Sequence, residues 1–211
     1  MSGLTKQAKG LSQPQVMTLL GYVTESTRFP ERNRVIVLLG VKAGLRSQEV
    51  AGVTWGMLTD AEGRLTDELR LTNTASKGRS GRVIPLNPDL RKALIALRDQ
   101  EADKGRPTTG DAYVVTLAKG NEDLKSRAMS IRFLLNGKKG RQEGWFDVLG
   151  FQGCSSHSLR RTFITNAARS ISSVGGSMRE VQELAGHASL QMTQRYVEVN
   201  ADAKKKLVSK I

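Results

Sequence analysis

Residues 69–86 read Leu69-Arg70-Leu71-Thr72-Asn73-Thr74-Ala75-Ser76-Lys77-Gly78-Arg79-Ser80-Gly81-Arg82-Val83-Ile84-Pro85-Leu86. Leu69 to Thr72 alternates apolar and polar side chains, the period-2 pattern of a half-buried strand. Val83 to Leu86 is its return partner, and the basic, glycine-rich segment from Ala75 to Arg82 is the turn between them. Outside this stretch the apolar spacing is mostly helical. The fold class expected is therefore mainly α with a small antiparallel β-sheet (α+β).

Upstream, Ser12-Gln13-Pro14-Gln15 has the signature of a helix start, with Ser12 as cap, Gln15 closing an S-x-x-Q box and Pro14 in the first turn. Val16, Leu19, Leu20 and Val23 then give one apolar face. A second helix is expected over Glu31–Ala43, stopped by Gly44, because glycine accepts the left-handed geometry of a helix end. Ser47 is read as the cap of a short helix containing Glu49 and Val50. Tyr113 is read as joining a Val114-Val115 strand. Downstream, Asn87-Pro88 opens a helix with Leu90, Ala93, Leu94 and Leu97 on one face. Further helices are expected from Ser126 to Asn136, from a cap at Ser155 or Ser156 to Arg169, from beyond Gly176 to a stop at Gly186, and from Ser189 through Tyr196.

The chain has 211 residues, with 33 Lys+Arg against 20 Asp+Glu, a net charge of +13. At 38% hydrophobic and 25% charged residues the composition is that of a globular protein rather than a disordered one. One cysteine, Cys154, excludes an internal disulfide framework, and no Cys/His cluster has zinc spacing. No apolar run approaches the ~20 residues of a membrane span, and residues 1–10 lack the apolar core expected of a secretory signal. A cytoplasmic, nucleoid-associated location and no membrane partner are expected. The positive excess points to a polyanion, bound with strong salt dependence. Aromatic residues at 5% argue against a single-strand binder built on stacking.

Both histidines of the sequence stand beside helix boundaries. His157 lies three residues before Arg160, and His187 follows the Gly186 stop. Each alone can be an ordinary hydrogen-bonded histidine. Arg46, just past Gly44, has Glu49 three residues on. A surface ion pair is one reading; the other is a guanidinium oriented by a carboxylate to clamp phosphate. Lys77, at the hairpin tip, is either a solvated loop lysine or one that reaches a groove or phosphate. Tyr196 comes nine residues after His187. On one straight helix that is about half a revolution out of phase, so the two share a site only if a turn intervenes. Gly186 and Ser189 supply the signals for that turn.

Three segments together carry a resemblance: Gly44-Leu45-Arg46-Ser47-Gln48-Glu49, His157-Ser158-Leu159-Arg160-Arg161-Thr162, and Leu184-Ala185-Gly186-His187 through Tyr196. With Lys77 in the hairpin between the first two, they resemble, in order, the motifs of the tyrosine recombinases, or phage-type integrases. The resemblance covers about residues 12–211. Each motif alone is weak; the ordered set is strong.

The resemblance implies the fold of a recombinase catalytic domain and a site-specific DNA recombinase that breaks and rejoins strands. Tyr196 would attack the scissile phosphate, leaving a 3′-phosphotyrosyl link and a free 5′-hydroxyl. A phenol of pKa about 10 needs a base, for which His157 is the candidate. Arg46 and Arg160 would neutralise the non-bridging oxygens, His187 would add a hydrogen bond, and Lys77 would protonate the leaving oxygen. Glu49 would hold the arginines. The covalent link conserves the bond energy, so neither ATP nor a metal is implied; no cofactor is expected. Arg79, Arg82, Lys138, Lys139 and Arg141 are the candidate DNA contacts. Partners implied are double-stranded DNA target sites and a homo-tetramer on two of them, alone or with other recombinase subunits or accessory proteins.

In domain terms, residues 1–11 are expected to be a flexible tail and 12–211 the catalytic domain. The segment 201–211 is read as a helix that docks on a neighbouring protomer or packs on its own domain. Members of the family usually carry an N-terminal DNA clamp before this domain, and only about eleven residues precede it here. Two other functions stay open at this point: a DNA-binding regulator without turnover, and a nicking-closing enzyme like the type IB topoisomerases.

Overall fold

The computed structural model describes residues 8–76, 80–117, 123–196 and Ser209. Helix α1 (Gln13–Glu25) starts with the expected reciprocal cap: the Ser12 hydroxyl accepts from the Gln15 N–H, and the Gln15 side chain accepts from the Ser12 N–H at 2.9 Å. Helix α2 (Pro30–Ala43) is apolar on nearly every side, with Val35 through Leu39 all buried. It can be so because it is surrounded by α1, by α4 (Pro88–Asp103) and by α7 (Ser158–Ser170). It ends at Gly44, whose φ of +68° turns the chain so that the Leu45 N–H reaches the Leu39 carbonyl at 3.0 Å.

Strands β1 (Glu68–Leu71) and β2 (Arg82–Pro85) pair antiparallel, with Leu69 opposite Ile84 and Leu71 opposite Arg82. Leu69, Leu71 and Ile84 face the core and Val83 faces out, as the alternation requires. Helix α3 (Ser47–Gly52) packs on α5 (Leu124–Asn136), and the single turn α6 (Trp145–Val148) adds Trp145 and Phe146 to the same core. A second, smaller apolar cluster of Ile164, Val181 and Ala185 joins α7 to α8 (Met178–Ala185), with Tyr196 against it. The five-residue α9 (Leu190–Gln194) follows.

Several local expectations are corrected. Asp123, accepting from the Lys125 and Ser126 N–H groups, starts α5 two residues before Ser126. The cap position of α7 is His157, with Ser158 the first helical residue, and that of α3 is Arg46, not Ser47. Helix α9 stops at Gln194, so Tyr196 lies beyond it. Tyr113 forms an isolated bridge with Thr54 instead of a strand, under the Arg127 guanidinium at 3.7 Å. Residues 8–11 do not behave as a free tail: the Lys9 N–H donates to the Gly153 carbonyl, the Leu11 N–H to the Thr162 hydroxyl, and Leu11 is buried. The expected helix at 201–211 lies outside the described residues, apart from Ser209. Among the described residues, no helix is long and apolar enough to cross a membrane.

Candidate active site

The site is built around one carboxylate. Glu49 sits at the third position of α3, where it accepts the Arg46 N–H at 2.8 Å, so the helix start itself fixes it. Its side chain is completely buried and meets three guanidiniums: Arg46 at 2.9 Å, Arg82 at 3.2 Å and Arg160 at 3.8 Å. Burial works to raise the Glu49 pKa, but the hydrogen bonds and charges of Arg82 and Arg46 outweigh it and hold the carboxyl below its ordinary range. Glu49 is thus charged at neutral pH, and the surface-pair reading is wrong for it.

Arg160 comes from the first turn of α7 and is only 3% exposed. Its two terminal nitrogens donate to the carbonyls of Gly44, the left-handed cap of α2, and of Ala185, the last helical residue before left-handed Gly186. Burial and the nearby Arg46 charge lower its pKa to about 10, against the pull of Glu49, so it remains a cation at neutral pH. Arg46 is the more open of the pair, with 22% of its side chain exposed. It lines a cleft of about 1170 Å³ shared with Arg82, Gly186 and His187.

His187 follows Gly186, whose φ of +60° closes α8. Its Nδ1 is 2.9 Å from the Thr193 hydroxyl, and its ring stacks on Tyr196 with centroids 5.5 Å apart. Burial and the three surrounding arginine charges, Arg160 foremost, depress its pKa to about 4. The ring is neutral at physiological pH. Tyr196 opens on the other side into a recess of about 360 Å³ that His157 and Arg161 also line. Its backbone carbonyl accepts from the Thr165 hydroxyl at 3.4 Å, tying the segment after α9 to α7.

The structure therefore brings together Arg46, Glu49, Arg160, His187 and Tyr196, with His157 across the Tyr196 recess. His157 and Arg160 diverge: the first is exposed at the helix cap, the second buried one turn on. Lys77 and Arg79 lie outside the described residues. Arg82 is not an open DNA contact, for its side chain is 7% exposed and its guanidinium is committed to Glu49 and to the Ser80 and Leu184 carbonyls. Lys138, Lys139 and Arg141 are exposed on a tight turn after α5. Sequence reading missed Thr193, whose one signal is its place six residues after His187, and the Gly44 and Ala185 carbonyls, which carry none. Among the described residues, no group of His, Cys, Asp and Glu side chains is placed to hold a metal ion.

The sequence profile of the Phage integrase family matches residues 9–203, which takes in every one of these groups. The chain belongs to the phage integrase family. Among the relatives of this integrase-family chain is the tyrosine recombinase XerC of Pelobacter propionicus, 27% identical over 188 residues. That match covers 89% of the chain and 54% of the relative, so the chain spans about half the length of the curated relatives it matches. In fold, the integrase chain is similar to the crystal structure of XerA recombinase, with a TM-score of 0.65, 19% identity and coverage of 100% of this chain and 66% of that one. It is also similar to XerH site-specific recombinase bound to palindromic difH substrate in a post-cleavage complex. There the TM-score is 0.66 at 18% identity, over 99% of this chain and 55% of that one.

Proposed function

We propose that the chain, taking residues 12–211 as its catalytic domain, is a site-specific DNA recombinase that cuts and rejoins strands through a 3′-phosphotyrosyl intermediate at Tyr196. The observation that carries this reading is the cluster of three arginines on one buried glutamate, set against a neutral histidine stacked on a tyrosine. A cleft with more cation than anion favours a phosphodiester, and favours still more the pentavalent phosphorus formed on attack. Arg46 and Arg160 neutralise its non-bridging oxygens. The His187 Nε2 is left for a further hydrogen bond, since Thr193 engages Nδ1.

The Tyr196 oxygen forms its bond to phosphorus as the bond to the 5′-oxygen breaks. His157, which lines the same recess, takes the phenolic proton. Lys77 gives a proton to the departing 5′-oxygen, which leaves as the free 5′-hydroxyl. Reversal with a different 5′-hydroxyl completes exchange, and no nucleotide hydrolysis is needed because the linkage is conserved. Lys138, Lys139 and Arg141 contact the DNA backbone, and a homo-tetramer holds two duplex sites, alone or with other subunits.

The test is to trap the intermediate. Nicked duplexes drawn from DNA flanking the coding sequence are incubated with the protein and resolved on denaturing gels. A protein–DNA adduct is expected from the wild-type chain and none from Tyr196→Phe. Salt-sensitive binding without any adduct would support a regulator, and supercoil relaxation without exchange between paired sites a nicking-closing enzyme.

A further inference from the structure

Arg82 stands at the start of β2, and its side chain reaches two groups far from it in sequence, 33 and 102 positions away. Its Nε donates to the Leu184 carbonyl at 2.7 Å, near the end of α8. Its two terminal nitrogens each donate to one oxygen of Glu49 at 3.2 Å, and one of them also to the Ser80 carbonyl. A planar fork is thus spent on four acceptors from three parts of the chain, a geometry that lysine cannot copy. The approach is close: a Cβ built on Gly186 would lie 2.7 Å from the Arg82 guanidinium. Gly186 is therefore needed twice, for its φ of +60° and for the space Arg82 occupies.

The two ends of this tie belong to different halves of the site. Glu49 holds Arg46 through both backbone and guanidinium. Leu184 lies three residues before His187, in the last turn of α8 that leads into it. We propose that Arg82 is a positioning residue, joining the Glu49–Arg46 side of the cleft to the α8 end that carries His187, so that both address one phosphate. It contributes no direct DNA contact. The assignment rests on the strand-transfer reading above and deepens it.

Arg82→Lys and Arg82→Gln are compared with wild type for duplex affinity across salt concentrations and for the single-turnover rate of adduct formation. Each is run on a nicked phosphodiester and on the same substrate with a methylphosphonate at the scissile position. The methyl group removes the oxygen charge that the arginines neutralise, so a clamp out of alignment matters less there. Affinity and salt slope are expected to match wild type, while the phosphodiester rate falls on the order of 100-fold, the scale of a misplaced reacting group. On the methylphosphonate the deficit is expected to shrink to within about threefold. An unchanged phosphodiester rate overturns the assignment. So does a salt slope shallower by about 1, which marks a lost phosphate contact. Equal losses on both substrates, or failure of both variants to fold, would make Arg82 a strut of the fold and nothing more. If the wild-type chain forms no Tyr196-dependent adduct, the strand-transfer reading itself fails and this assignment falls with it.

Discussion

The His187 and Tyr196 rings lie nearly parallel, 24° between planes, although they are nine positions apart in sequence with the short helix α9 between them. The stack is held from below by Thr193, which is fully buried and meets His187 Nδ1. A neutral imidazole donates from only one nitrogen, so the Thr193 hydroxyl must donate to Nδ1 if Nε2 is to donate to a phosphate. Thr193→Val keeps the shape and removes this control. A loss of about 1–2 kcal/mol in stability is expected, with an adduct rate lower on the order of tenfold. Urea denaturation beside single-turnover gels measures both; a full rate would mean that another group sets the tautomer.

Glu49→Gln leaves three guanidiniums at a buried site with no formal negative partner. Removing one member of a buried ion cluster costs about 3–5 kcal/mol, which lowers the melting temperature by roughly 6–20 °C in a domain of this size. Calorimetry in chloride buffer is the measurement. A drop under 2 °C would show that the arginines rearrange into solvent at little cost.

The His187 environment fixes a pH response. The unfolded chain binds a proton near pH 6.5 at this residue, the folded one only near 4. Unfolding therefore takes up protons in between, and stability falls as pH drops from about 6.5 to 4, by about 3 kcal/mol in all. Above 6.5 this contribution is fully present. Glu49 acts in a lower window, its stabilisation disappearing as pH falls below the ordinary carboxyl range. Urea midpoints from pH 7 to 4.5 are expected to slope for wild type and to flatten in His187→Gln.

Gly40 lies inside α2, where alanine normally gains about 1 kcal/mol in helix propensity. Here a Cβ would stand 2.5 Å from the Leu159 Cβ, since α2 and α7 touch at this point. Gly40→Ala is expected to destabilise by about 1–3 kcal/mol despite the propensity gain. A stabilised variant in chemical denaturation would mean that the two helices can separate without cost.

Much of the architecture is legible because its causes are local. The Ser12–Gln15 cap, the Gly44 and Gly186 stops and the alternation in Leu69–Thr72 each act within a few residues. The residues of the candidate site are legible through ordered motifs. What each of them leans on is not. Arg82 meets Glu49 across 33 positions and Leu184 across 102, and Leu11 finds Thr162 across 151. Such pairings depend on how α2, α7 and α8 stack, and no periodicity reports it. For the same reason Arg82 looked like a groove contact: a hairpin arginine has the same letter whether it points outward or under the turn.

Three guanidiniums sharing Glu49 leave two positive charges in excess beside the end of α8. That excess makes the chain's stability a function of its solution. Any anion that settles in the cleft binds the folded form and not the unfolded one, and so raises the melting point by mass action. Phosphate and sulfate buffers would then act as ligands rather than bystanders. A melting curve recorded in them reports folding plus occupancy, and mutants of the arginine cluster would look more damaged there than in chloride.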